Sequence, residues 1–285
     1  MKNQISVILF ITAGLFLYGC SGAQKSTTPE PSGEMVHSSN SVINSFAQEL
    51  SKSPRHHEWV TLSSGYREFQ AFVVYPESKT KTKSIIVIHE NRGLDDWARL
   101  FADKLAAEGY LVIAPDLISN TKGKKRTSDF ESPDAARDAL YDLEPSQVTA
   151  DLDAAYKYIN NDASSTGEVA LIGFCWGGSQ TFRYTTYNGE ISSAHVFYGT
   201  APDDAEALSR IQAPVFGYYG GDDNRVNATI VKTEEQLKNA NVPFDYVIYE
   251  GAGHAFMKSG HQAEALPANK MAHDNAWKRL LQLLK

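Results

Sequence analysis

The strongest constraint on this chain is an alternation of short apolar runs, rich in β-branched residues, with stretches of helical periodicity. "SIIVIH" at Ser84–His89 is an uninterrupted apolar run of the kind buried on both faces of a parallel sheet. It is followed by "LDDWARLFADKLAAEG", in which Leu94, Trp97, Phe101 and Leu105 share one helical face and Gly109 is a stop signal. From Trp59 onward the alternation continues. "FQAFVVYP", "YLVIAPD", "EVALIGF", "SAHVFYG", "PVFGYYG" and "FDYVIYE" read as strands. Helices are expected over Asp134–Leu143, Gln147–Asn160, Trp176–Tyr187, Ala228–Ala240 and Ala268–Leu284. Strands joined by helical crossovers run parallel and are covered on both faces by those helices. The expectation is an α/β fold with a mostly parallel central sheet, in one domain over residues 56–285, and the sequence shows no internal repeat.

What precedes that domain is of another kind. "MKNQISVILFITAGLFLYGC" carries one lysine and then a short apolar stretch, the pattern of an export signal rather than of a permanent membrane span. The ending "LYGC" resembles the lipobox of bacterial lipoproteins. That resemblance implies a signal peptide over residues 1–19 and lipidation of Cys20, and Ser21 after it suits an outer membrane, on its periplasmic side or surface. The other reading is a plain secretory signal with an incidental cysteine. Residues 20–55, rich in Ser, Thr, Pro, Asn and Gln, read as a flexible tether, with one short helix around Val42–Leu50.

The formal charge of -7 excludes a surface built for nucleic acid, and "KGKKR" at Lys122–Arg126 reads as a solvated loop. No metal-ligand cluster or phosphate-cradling glycine loop is present, so no cofactor is implied. Of the two cysteines, Cys20 is assigned to lipid, which leaves Cys175 without a disulfide partner. Taken alone, such a cysteine is a small buried hydrophobe as readily as a reactive group.

Its neighbours favour reactivity. Gly173, Cys175 and Gly177 in "LIGFCWGGS" form Gly-x-Cys-x-Gly between a strand and a helix, the nucleophile-elbow pattern with cysteine in place of serine. The cramped turn needs neighbours without side chains, and it aims the backbone N–H of Trp176 at a developing oxyanion. Ser179 lies a helical turn too late to be the nucleophile. "GGDDNRV" puts Asp222 and Asp223 after a later strand, and "GAGHAF" puts His254 after the next. Nucleophile, acid and histidine thus follow in the order used by α/β-hydrolases.

With these residues in view, the chain from about Val60 to its C-terminus resembles the dienelactone hydrolase family. "GFCWGG" is similar to that family's nucleophile motif, "GGDDNRV" to its acid motif and "GAGHAF" to its histidine motif. "IHENRGL" and "EGYLVIAPDL" are similar to its first- and second-strand segments. The resemblance implies an α/β-hydrolase fold and a Cys175, Asp223, His254 triad, with Asp223 favoured over Asp222. It further implies that Glu90 contacts the resting thiol and that the N–H of Asn91 joins that of Trp176 in an oxyanion hole. The alternative role for Glu90 is a helix-entry charge. The activity implied is thiol-dependent cleavage of small esters or lactones, including anionic ones. The domain is expected to be monomeric, and its partner a small ester or lactone.

Two arginines grip the substrate carboxylate in family members that cleave dienelactone. Lys258, four residues after His254, stands at one of those positions and lacks the guanidinium fork. Arg137 is the candidate for the other, with a solvated helix charge as the competing reading. Tyr198 and Trp176 are candidates for the pocket wall, with core packing as the competing role. A membrane-anchored binding or scaffolding module on the same fold is the alternative to an enzyme, and Cys175-dependent turnover discriminates the two.

Overall fold

A computed structural model describes residues 45–65 and 67–285. The signal peptide, Cys20 and most of the expected tether lie outside the described residues. Eight strands form one sheet in the order β1-β2-β4-β3-β5-β6-β7-β8. They are β1 (His57–Ser64), β2 (Arg67–Val74), β3 (Thr82–Ile88), β4 (Leu111–Asp116), β5 (Ser165–Phe174), β6 (Ser193–Phe197), β7 (Val215–Gly220) and β8 (Phe244–Tyr249). From β4 to β8 every neighbouring pair is parallel, whereas β1 with β2 and β2 with β4 are antiparallel. The expected strands are all present. The sequence reading left out β1, whose burial is partial and irregular along its length, as suits an edge strand.

The helices are α1 (45–51), α2 (Asp96–Ala107), α3 (Pro133–Tyr141), α4 (Pro145–Asn160), α5 (Trp176–Thr185), α6 (Ala205–Leu208), α7 (Asn224–Asn239), α8 (Phe256–Ser259) and α9 (Pro267–Leu283). The alternation of β3 explains the layering: Ile85 and Val87 enter the core beneath α2 and α9, and Ile86 and Ile88 enter the core beneath α4. All four are fully buried, each contributing roughly 1.5–3 kcal/mol relative to exposure.

The boundary expected at residue 56 moves toward the N-terminus. Phe46 and Leu50, one turn apart on α1, are buried in the core beneath α2. Arg55 then pairs with the buried Asp103 of α2 at 2.5 Å, and His57 Nε2 lies 2.8 Å from the same carboxylate. The polar composition of the segment conceals two apolar anchors. At the other end of the described chain, α7 begins four residues earlier than the periodicity implies, because Asp223 caps it: its side chain accepts from the Val226 N–H at 3.4 Å.

Candidate active site

Four elements end together at the carboxyl edge of the parallel strands, where open α/β sheets bind ligands. They are the turn after β3 with His89, Glu90 and Asn91, the β5–α5 junction at Cys175, the loop after β7 with Asp223, and the loop after β8 with His254. Glu90, Cys175, Trp176, Tyr198, Arg225 and His254 are among the residues that line one cavity there, of about 580 Å³.

Cys175 is the N-cap of α5 and sits at φ 54°, ψ -115°, a conformation that costs a side-chain-bearing residue on the order of 1–3 kcal/mol. The surroundings hold it there. Its N–H donates to the Phe197 carbonyl at 3.0 Å, and its own carbonyl accepts from Ser179 at 3.1 Å. Gly177 explains the need for glycine: a Cβ there would fall on the carbonyl oxygens of Ile88 and His89. Helix α5 can therefore rest directly on the end of β3, which brings the sulfur toward Glu90. Burial and the Glu90 carboxylate push the Cys175 thiol up to about 11, while the N–H of Trp176 and the guanidinium of Arg225 act to lower it. The resting sulfur is a thiol.

Asp223 uses its two oxygens separately. Oδ1 caps α7, and Oδ2 lies 2.5 Å from His254 Nδ1. The carboxylate is buried and the imidazole half-buried, so the ring is held with Nε2 free. Asp222 is exposed, and it is Asp223 that meets His254.

Glu90 is confined by charge on one side and a phenol on the other. Tyr198 donates its hydroxyl to Oε1 at 3.3 Å, and Lys258 Nζ stands 3.8 Å from Oε2. Burial raises the Glu90 carboxyl to about 7, against the pull of Lys258. Asp95 nearby raises it further. Tyr198 is more than a wall. It is buried, its phenol is held well above its usual range chiefly by burial, and its ring centroid lies 4.9 Å from that of His254. Its own φ of 41° is a second strained position at the site.

His89 was not singled out from the sequence. It is fully buried and kept neutral, with burial pushing it down to about 4. Nδ1 lies 2.8 Å from the Glu90 carbonyl, Nε2 accepts from the Leu117 N–H at 3.4 Å, and the ring stacks on Trp176 at 5.8 Å. Fixing the Glu90 carbonyl fixes the Glu90–Asn91 peptide plane, and so the direction of the Asn91 N–H.

The two expected carboxylate grips sit differently. Arg137, on α3, pairs with Asp134 at 3.1 Å and with Asp138 at 3.2 Å on the surface and does not line the cavity. The competing reading, a solvated helix charge, describes it. Lys258 is on α8 beside the site, but its ammonium is held by Asp95 at 2.5 Å as well as by Glu90. Ser179 lies in the cavity wall, where its Oγ accepts from the Thr200 N–H at 2.9 Å. Among the described residues no group of His, Cys, Asp and Glu is arranged to hold a metal ion, and no helix is long and apolar enough to cross a membrane.

A sequence profile of the dienelactone hydrolase family matches residues 69–285. The chain is 30% identical over 212 residues to an Escherichia coli K12 protein named "Putative carboxymethylenebutenolidase", covering 70% of this chain and 76% of that one. It is 25% identical over 211 residues to the carboxymethylenebutenolidase of Pseudomonas putida, covering 72% of this chain and 88% of that one. Among solved structures, a dienelactone hydrolase from Anabaena variabilis shares the fold with a TM-score of 0.61 at 19% identity, covering 80% of this chain and 98% of that one.

Proposed function

The chain belongs to the dienelactone hydrolase family, and from that premise we propose that it hydrolyses small esters or lactones, with Cys175 as nucleophile, His254 as base and Asp223 as the acid that orients it. The observation that carries this reading is the 2.5 Å bond between His254 Nδ1 and Asp223 Oδ2, made at the rim of the cavity that Cys175 lines. With Nδ1 engaged, Nε2 is left to take a proton. A cysteine held only for packing has no need of such a partner.

His254 removes the Cys175 proton, and the thiolate adds to the acyl carbon. The N–H groups of Trp176 and Asn91 receive the charge that develops on the carbonyl oxygen, at the positive end of α5. When the tetrahedral adduct collapses, the carbon–oxygen bond to the leaving group breaks and His254 returns the proton to that oxygen. Water, deprotonated by the same histidine, then cleaves the thioester and releases the acid. Burial, with the Glu90 carboxylate adding to it, keeps the sulfur protonated until the acyl group arrives. Thiolate leaves tetrahedral adducts readily, so activated esters and lactones suit this site better than amides.

Anchoring to a bacterial outer membrane through a lipidated Cys20 belongs to the same proposal, and the "LYGC" sequence supports it. Mass spectrometry of the mature N-terminus tests it: a diacylglyceryl group on Cys20 is expected, and an unmodified cysteine would overturn it. For the chemistry, the purified full chain should hydrolyse 4-nitrophenyl acetate and lose that turnover in Cys175→Ala and after iodoacetamide. Turnover unchanged in Cys175→Ala would sink the thiol mechanism.

A further inference from the structure

Lys258 stands where the family's substrate cation is expected, yet two carboxylates already hold it, Asp95 at 2.5 Å and Glu90 at 3.8 Å. A substrate carboxylate approaching that ammonium would meet Asp95 and Glu90 as well. Arg225 is in the opposite condition. It lines the same cavity as Cys175 and His254, it is exposed, and it makes none of the ion pairs formed among the described residues. Asp223, two residues before it, gives its free oxygen to His254.

Its position is also locally unfavourable. Arg225 is the second residue of α7, whose first turn holds no acid apart from the Asp223 cap, already engaged by His254. A cation at a helix N-terminus opposes the macrodipole, at about 0.3–1 kcal/mol where exposed. A residue that violates a local preference at the mouth of a site is a candidate for function. The guanidinium is near enough to act on the Cys175 thiol and to favour its ionised form.

We propose that Arg225 is the specificity residue of this site, and that it receives the anionic group of a carboxylate-bearing ester or lactone in the place of Lys258. The inference rests on the hydrolase reading above and names its substrate class. A guanidinium offers a carboxylate two parallel N–H donors, where an ammonium offers a point charge.

Matched ester pairs test it with the full chain. 4-Acetoxybenzoate is compared with methyl 4-acetoxybenzoate, which places the charge on the leaving group. Mono-4-nitrophenyl glutarate is compared with its methyl ester, which places the charge on the acyl group. In Arg225→Ala the ratio of kcat/KM for the anionic over the neutral member of at least one pair should fall by about 10-fold, mainly through KM, and Arg225→Lys should restore part of it. An unchanged ratio in Arg225→Ala, or a fall confined to Lys258→Met, would overturn the proposal.

A second measurement needs no turnover. Iodoacetate and iodoacetamide both alkylate the Cys175 thiolate with loss of iodide, and only the first carries a charge. Peptide mapping of the Cys175 adducts should show the iodoacetate to iodoacetamide rate ratio falling several-fold in Arg225→Ala, and a constant ratio counts against Arg225. If no ester is cleaved at all, the hydrolase reading fails, and the alkylation ratio alone decides whether Arg225 attracts anions to this cavity.

Discussion

The ammonium of Lys258 binds Asp95 at 2.5 Å across 163 residues of sequence, through the carboxylate oxygen that Asp95 does not use to cap α2. One aspartate therefore joins the start of α2 to α8, just beyond His254. The pair is partly buried, and removing one member leaves the other charge poorly compensated. Lys258→Met should lower unfolding stability by about 1–3 kcal/mol in urea and depress turnover of neutral and anionic esters alike. A loss confined to anionic esters would contradict this account.

Glu90 gives the site a pH-dependent stability of unusual sign. Its carboxyl titrates near 4.5 when exposed and is raised to about 7 in the folded chain by burial, with Asp95 adding to the rise and Lys258, Tyr198 and Arg92 opposing it. Between those values the folded state holds a proton that the unfolded state releases. The associated stability is fully present below about pH 4.5 and is lost as pH rises through about 7. Relative to Glu90→Gln, the wild type should lose on the order of 2 kcal/mol between pH 4.5 and pH 8. Parallel stability curves for the two proteins in chemical denaturation would show that Glu90 does not titrate this way.

The two oxygens of Asp223 can be separated by substitution. Asparagine is a good N-cap but cannot orient an imidazole as a carboxylate does. Asp223→Asn should reduce kcat by about 10³-fold or more while changing stability by less than about 1 kcal/mol. Asp223→Ala should lose the cap as well and unfold at lower urea. Equal stability losses in both variants would argue against a role as helix cap.

The backbone at Cys175 stores strain that folding does not require and that the proposed catalysis uses. Glycine adopts φ 54°, ψ -115° without penalty. Cys175→Gly should therefore abolish turnover and raise the unfolding free energy by about 1 kcal/mol, as the strain relieved exceeds the small side chain lost. A clear fall in stability would mean that packing of the thiol outweighs the turn.

The parallel core was legible because continuous apolar runs such as "SIIVIH" have one structural use, and the strand-to-helix turn at Cys175 was legible because Gly173 and Gly177 bracket it. The places of Asp223 and His254, each in a loop after its own strand, followed from order and context. The irregularly half-buried β1 and the one-turn α6 and α8 carry too little periodicity to stand out, and the short helix expected around Val42–Leu50 did not show that Phe46 and Leu50 anchor it in the core. The electrostatics lay further from reach. Whether Lys258 is free depends on Asp95, and whether Arg225 is free depends on which way Asp223 turns; neither follows from spacing along the chain.

The elevated thiol of Cys175 has a consequence for the lifetime of the protein. Peroxide and disulfides are attacked by thiolate, and a thiol titrating near 11 presents about one part in ten thousand as thiolate at neutral pH. The resting sulfur is thus slow to react with oxidants. Under the proposed anchoring in the cell envelope, an oxidising place, a sulfur that stays protonated can persist without a reductant to repair it.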